Sequence, residues 1–324
     1  MSTQDMLDIA VEALRRGEVI GLPTETVYGL AADASNASAV RRIFAIKGRP
    51  ADHPLIVHIA DADELPRWAV DIPLNAHRLA DAFWPGPLTL ILRKQAAVPE
   101  VVTGGQDTVG LRCPAHPLAR ELLHRFGGGV AAPSANRFGR ISPTSAQHVR
   151  DEFGDAVPLV LDGGDSDVGI ESTIVDLSGE TPRILRPGGI SRAQIEQVIG
   201  EVAMGGHAHS PRASGTLEAH YAPRTPMLLL ARDALEREAD QQRAFGKRVG
   251  LLCIGALPEG GDGLALPGDA RAYAHGLYAA LRELDRRSDN LLLVERPPEA
   301  EAWLAVHDRL RRAAAGASPD DDAP

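Results

Sequence analysis

Lys47-Gly48-Arg49-Pro50 sets two cations within three residues; Gly48 relaxes the backbone between them and Pro50 fixes its exit, so both heads can converge on one anion. A helix C-terminus attracts cations in any protein, so the pair alone does not separate a phosphate site from an ordinary surface. Ala132-Pro133-Ser134-Ala135-Asn136 ends an apolar run in small residues bearing a hydroxyl and an amide, and ligands of open α/β sheets gather at the carboxyl ends of strands. Ser134 and Asn136 also suit a turn that stabilises its own loop. Further polar stretches are Ser142-Pro143-Thr144, the run from Gly169 to Asp176 containing Glu171-Ser172-Thr173, and Ile184-Leu185-Arg186-Pro187-Gly188. Thr144 with Gln147 fits a capping box, a structural use of the same residues.

The elements that position these residues follow from pattern. Leu7, Val11 and Leu14 share one helix face between Asp5 and Arg16, and Gly17 stops it. The apolar run Val19 to Leu22 leads into Pro23-Thr24-Glu25-Thr26-Val27-Tyr28-Gly29, a loop able to hold a ligand. Asn36 caps a helix reaching Lys47, and Leu55 to Ile59 reads as the next strand, which puts Lys47 and Arg49 at a helix end, exposed in a cleft. Strands are expected at 88–92, 108–112, 130–132, 159–161, 173–177 and 183–185. Some follow one another with no room for a helix, so antiparallel pairs must occur and the sheet is mixed.

Residues 203–226 turn rich in Gly, Ser, Pro, Ala and His with no period of either kind, and read as a linker. Beyond them, strands at 227–230, 249–254 and 291–294 alternate with helices at 270–286 and 299–313, the pattern of a small parallel α/β unit. The expected organisation is a catalytic domain at 1–202, a linker or lid at 203–226, a C-terminal α/β domain at 227–315 and a disordered tail at 316–324.

With 34 Lys and Arg against 44 Asp and Glu, the net charge of −10 argues against a broad phosphate-coating surface. No apolar run nears the roughly 20 residues of a membrane helix, and the first residues lack signal-peptide character, which points to the cytoplasm. Cys113 and Cys253 fit reduced structural thiols. His207, His209 and His220 lie in a Gly-rich stretch without nearby Cys, so no structural metal is assigned.

Pro23 to Leu30, Lys47-Gly48-Arg49-Pro50, Pro133-Ser134-Ala135-Asn136, Glu171-Ser172-Thr173 and Arg186-Pro187-Gly188 together closely resemble the YrdC-like family, in order and in spacing. The added His220-Tyr221-Ala222-Pro223 and the C-terminal unit look like the two-domain threonylcarbamoyl-AMP synthases of that family. The resemblance implies a mixed twisted α/β sheet with flanking helices, plus a small Rossmann-like α/β domain. It also implies a nucleotidyltransferase that joins L-threonine, bicarbonate or CO2 and ATP into threonylcarbamoyl-AMP and pyrophosphate. Partner proteins then use this product to modify the adenosine beside the anticodon of tRNA.

Carried over residue by residue, the resemblance implies that Lys47 and Arg49 hold phosphates and are the catalytic pair. His53, Thr108, Ser134, Asn136, Ser142 and Arg186 help to place ATP, while His220 and Tyr221 fold over it as a lid. Threonine would lie against Thr26, His58, Arg112, Ser172 and the backbone of Ala132, with Arg112 pairing the carboxylate. Mg2+ would ride on the ATP phosphates, with no organic cofactor. His53 stands where relatives often carry Asn or Lys, which would make a phosphate contact there pH-dependent. Two rival readings are an RNA-binding or ribosome-assembly factor of the same type, and a hydrogenase-maturation carbamoyltransferase. The acidic charge disfavours the first, and two cysteines cannot supply the zinc motifs of the second.

Overall fold

The structure is a computed structural model and describes residues 2–207, 210–287 and 290–317. The described residues form two compact units, one within 1–138 and 143–216, the other within 139–142 and 217–324.

In chain order the first unit contains α1 (Thr3–Arg15), β1 (Ile20–Leu22), β2 (Gly29–Asp33), α2 (Ala37–Lys47), β3 (Ile56–His58), α3 (Leu65–Trp68), α4 (Leu74–Phe83), β4 (Leu88–Arg93), α5 (Glu100–Thr103), β5 (Thr108–Arg112), α6 (Pro117–Phe126), β6 (Val130–Ala131), α7 (Ala146–Phe153), β7 (Thr173–Asp176), β8 (Arg183–Arg186), α8 (Arg192–Ile199) and β9 (Ala203–Met204). Its nine strands run in the order β1-β2-β6-β3-β5-β4-β7-β8-β9. The pairs β3–β5, β4–β7 and β8–β9 are parallel and the rest antiparallel, which is the expected mixed sheet.

Strand alternation decides what each face does. Val57, Val109, Leu111, Leu90 and Val175 point into a core completed by Val40 and Ile43 of α2 and Leu79 of α4. Their neighbours Ile56, Thr108, Gly110, Thr89, Ile91 and Ile174 line a cavity on the other face. On that second face Leu7, Val11 and Leu14 of α1 and Leu122 and Leu123 of α6 cover only the β1, β2 and β6 part. The centre of the sheet is thus left for polar groups.

Helix α2 delivers the cations because its ends are defined. The Asn36 side chain accepts from the Ser38 and Ala39 N–H groups, and Gly48 at φ 63° closes the helix in the left-handed region that favours glycine. Asn36→Ala should cost about 1 kcal/mol in urea unfolding and leave turnover per folded molecule unchanged.

The second unit contains β10 (Met227–Leu230), α9 (Arg232–Ala244), β11 (Val249–Ile254), β12 (Gly263–Leu266), α10 (Ala270–Arg286), β13 (Leu291–Glu295) and α11 (Leu304–Ala315). Its sheet, ordered β10-β13-β11-β12, is parallel throughout, so both faces must be covered by helices. Among the described residues no helix is long and apolar enough to cross a membrane.

Several sequence expectations differ from these elements. The strand expected at 159–161 is reduced to one bridge, Gly21 with Val160. The cap of α7 is Ser145, which accepts from the His148 N–H, rather than Thr144. The stretch read as a linker at 203–226 is divided. Residues 203 and 204 pair with β8, the following residues to 216 belong to the first unit, and 217–226 to the second. Residues 139–142 join the second unit because Ala222 N–H donates to the Gly139 carbonyl and Arg282 to the Ile141 and Ser142 carbonyls. At the far end Ala317 accepts from Met227 N–H and is buried, so the unit extends past 315. Residues 318–324, like His209, lie outside the described residues.

Candidate active site

The parallel register of β3 and β5 sets His58 beside Arg112 at the carboxyl ends of both strands. Arg112 is held on three sides. Its Nε–H donates to the Gly86 carbonyl at 3.3 Å, Nη1–H to Thr26 Oγ1 at 2.8 Å, and Nη2–H to Glu25 Oε1 at 2.6 Å. The Arg112 and Glu25 side chains are only 5% and 7% exposed. A guanidinium carries five N–H groups, and Arg112 has no further partner among the described residues. One N–H on each Nη therefore remains for a ligand.

Thr26 is less available than its sequence motif suggests. Thr24 Oγ1 donates to the Val27 carbonyl at 2.6 Å, so in the 2.9 Å contact between the two hydroxyls Thr26 is the donor. Since Thr26 also accepts from Arg112, it keeps a single lone pair and can act on a ligand only as an acceptor.

Burial, and then the neighbouring Arg112 charge, lower the His58 pKa from 6.5 to about 3, so the imidazole is neutral at neutral pH. The unfolded chain takes up this proton near 6.5 and the folded chain only near 3. Between those values the unfolded state binds more protons, so stability is full above about 6.5 and falls as the pH drops. Urea unfolding at pH 7 and pH 5 should show the wild type losing more stability than His58→Gln.

Ser172 joins this side of the site to a second cation. Its hydroxyl lies 2.7 Å from Thr89 Oγ1 and accepts from Arg186 Nη2–H at 3.1 Å, while its carbonyl accepts from Arg186 Nε–H and Nη2–H. The chain beyond Arg186 turns too tightly for a side chain: a Cβ at Gly188 would sit 2.4 Å from Thr173 N. Arg186 Nη1–H donates to the Ser214 carbonyl at 2.7 Å, and Arg49 Nη2–H reaches the Ser214 hydroxyl at 3.3 Å and the Pro54 carbonyl at 3.0 Å. One residue of the supposed linker thereby ties the two guanidinium groups together.

Lys47 and Arg49 are not exposed as the sequence suggested: they are 3% and 8% exposed. The end of α2 packs on the loop after β6, where Lys47 Nζ donates to the Ser134 carbonyl at 2.6 Å and the Asn136 carbonyl at 2.5 Å, and the Lys47 carbonyl accepts from Phe138 N–H. Burial, then Arg49, push the Lys47 amine well below its usual pKa. Arg49 lies over the Phe138 ring at 5.9 Å, and His53 meets the same ring edge-on at 5.3 Å. Burial, then Arg49, lower the His53 pKa as well.

Thr108 lines the central cavity with Thr89, Gly110, Gln106, Arg212 and Ser214. The Ala132 N–H goes to the Ile56 carbonyl, so a ligand would use Ala132 through its carbonyl. Ser142, His220 and Tyr221 belong to the second unit. There the His220 and Tyr221 rings meet at 4.2 Å, Arg309 lies 5.3 Å over Tyr221, and Tyr221 holds a left-handed φ of 64°.

A family model described as telomere recombination matches residues 12–188, and one described as the threonylcarbamoyl-AMP synthase C-terminal domain matches residues 190–315. The threonylcarbamoyl-AMP synthase of Pyrococcus abyssi is 43% identical over 317 residues, covering 94% of this chain and 93% of that one. The chain belongs to the threonylcarbamoyl-AMP synthase family. The Bacillus subtilis synthase is 39% identical, over 98% of this chain and 95% of its own. The crystal structure of P. abyssi Sua5 complexed with L-threonine superposes with a TM-score of 0.91 at 40% identity, covering 98% of this chain and 96% of that one.

Against the family motifs, sequence reasoning passed over Glu25, Thr89 and Ser214. Glu25 lies inside the Pro23 to Leu30 motif. Its partner lies 87 residues away, and no local pattern announces such a pair. Thr89 sits in an apolar strand, where only alternation with Leu88 and Leu90 turns it to the open face.

Proposed function

We propose that the protein is an L-threonylcarbamoyladenylate synthase. The threonine amine adds to CO2 to give a carbamate, with loss of one proton. A carbamate oxygen then attacks the α-phosphorus of ATP, and the bond to pyrophosphate breaks with its electron pair leaving on pyrophosphate. Threonylcarbamoyl-AMP passes to partner proteins that modify the adenosine beside the tRNA anticodon, which places the enzyme in the cytoplasm.

The observation that carries this reading is the pairing of two unlike subsites on one sheet face. Arg112 keeps one donor on each Nη, and Arg49 and Arg186 are drawn together at Ser214. The first takes the threonine carboxylate, with His58, Ser172, the Thr26 lone pair and the Ala132 carbonyl around the rest of the amino acid. The second neutralises phosphate, and Ser134, Asn136, His53 and Thr108 complete the nucleotide contacts. Such a reaction is accelerated mainly by positioning and by charge stabilisation at phosphorus. Lys47 holds the Ser134–Asn136 loop with two of its three donors and keeps the third for phosphate. Mg2+ enters with ATP as part of the substrate; among the described residues no three His, Cys, Asp or Glu side chains gather to hold a metal.

Mass spectrometry of a reaction containing ATP, Mg2+, bicarbonate and L-threonine should reveal threonylcarbamoyl-AMP. Tight RNA binding with no such adduct would favour the RNA-binding reading instead.

A further inference from the structure

Glu25 is buried and charged, and the chemistry above gives it no task. Its two oxygens serve two fixed donors, Arg112 Nη2–H at 2.6 Å and the Ala115 N–H at 3.0 Å. Its own carbonyl accepts from Val168 N–H at 2.7 Å. The carboxylate is therefore tied to the segment after β5 by the Ala115 N–H, and the backbone that carries it is tied to Val168, so it cannot readily follow Arg112 if the guanidinium turns.

We infer that Glu25 is the positioning residue that aims Arg112 at the carboxylate of the amino-acid substrate and so makes the enzyme select free α-amino acids over their amides. The inference rests on the proposed synthase reading. With Nε pinned by Gly86, Nη1 by Thr26 and Nη2 by Glu25, rotation of the guanidinium would break a charge-assisted bond. The two remaining N–H groups thus keep one direction.

A glutamine cannot replace this carboxylate. It has one oxygen for two donors, so its NH2 must face either Arg112 or the Ala115 N–H. Aspartate keeps the charge but falls one methylene short. Glu25 also repels a second carboxylate, but a guanidinium can pair with two carboxylates at once, so orientation is expected to dominate.

The test compares L-threonine with L-threonine amide, by calorimetric binding and by pyrophosphate release, for wild type, Glu25→Gln and Glu25→Asp of matched folded content. Loss of a charge-assisted hydrogen bond predicts a ~10-fold to ~100-fold fall in the preference for threonine over its amide in both variants, with the KM for ATP unchanged. An unchanged preference in Glu25→Gln, equal losses for both ligands, or tighter threonine binding would overturn the inference. Retention of the preference in Glu25→Asp would also overturn it, since charge alone would then suffice. Wild-type protein that binds threonine but releases no pyrophosphate would overturn the synthase reading instead, while the binding preference still reports on Glu25.

Discussion

Arg49→Ala is expected to lower threonine-dependent pyrophosphate release by about 10²- to 10³-fold, the loss typical when one preorganised donor to a charged transition state is removed. The guanidinium lies against Phe138 and is held by Pro54 and Ser214, so in the proposed role it would meet phosphate without reorganising. Arg49→Lys keeps a cation but loses the planar fork and should recover only part of the rate. Initial rates at saturating threonine measure both variants. Wild-type turnover in Arg49→Ala would remove this residue from the chemistry.

Arg112→Ala has a different signature, because it damages the fold as well as the site. Removing one partner of a buried ion pair leaves the other charged and unpaired, at a cost of about 3–5 kcal/mol. Glu25 would be that residue, its side chain 7% exposed. The double variant Glu25→Gln/Arg112→Met, which buries no charge, should recover most of the stability in urea unfolding but none of the threonine binding. Recovery of both would show that Arg112 holds the fold together and does not receive the substrate. The pair thus separates two roles that a single substitution would confuse.

Much of the fold was legible because local signals agreed. The Asn36 cap, the Gly48 stop and the apolar face of α2 placed the two cations at a helix end, where they are found. The alternating helices and strands beyond residue 227 implied the parallel second sheet that is present. Other features depend on contacts far apart in the chain. Nothing in Lys47-Gly48-Arg49 tells that the lysine is buried and donates to carbonyls 87 and 89 residues away. Ser214 sits in a Gly- and Pro-rich stretch that has every local mark of a linker, yet it joins Arg49 and Arg186. The run 159–161 has strand composition but pairs at only one residue, since strand propensity reflects the neighbours that a segment finds rather than the segment alone.

The central claim is that one site couples threonine, CO2 and the α-phosphate of ATP. The most direct test is pyrophosphate release from ATP and Mg2+, assayed with and without L-threonine, in bicarbonate buffer and in buffer purged of CO2. Release only when threonine and bicarbonate are both present is the predicted result. Release that is indifferent to either one, or no release at all, would contradict it.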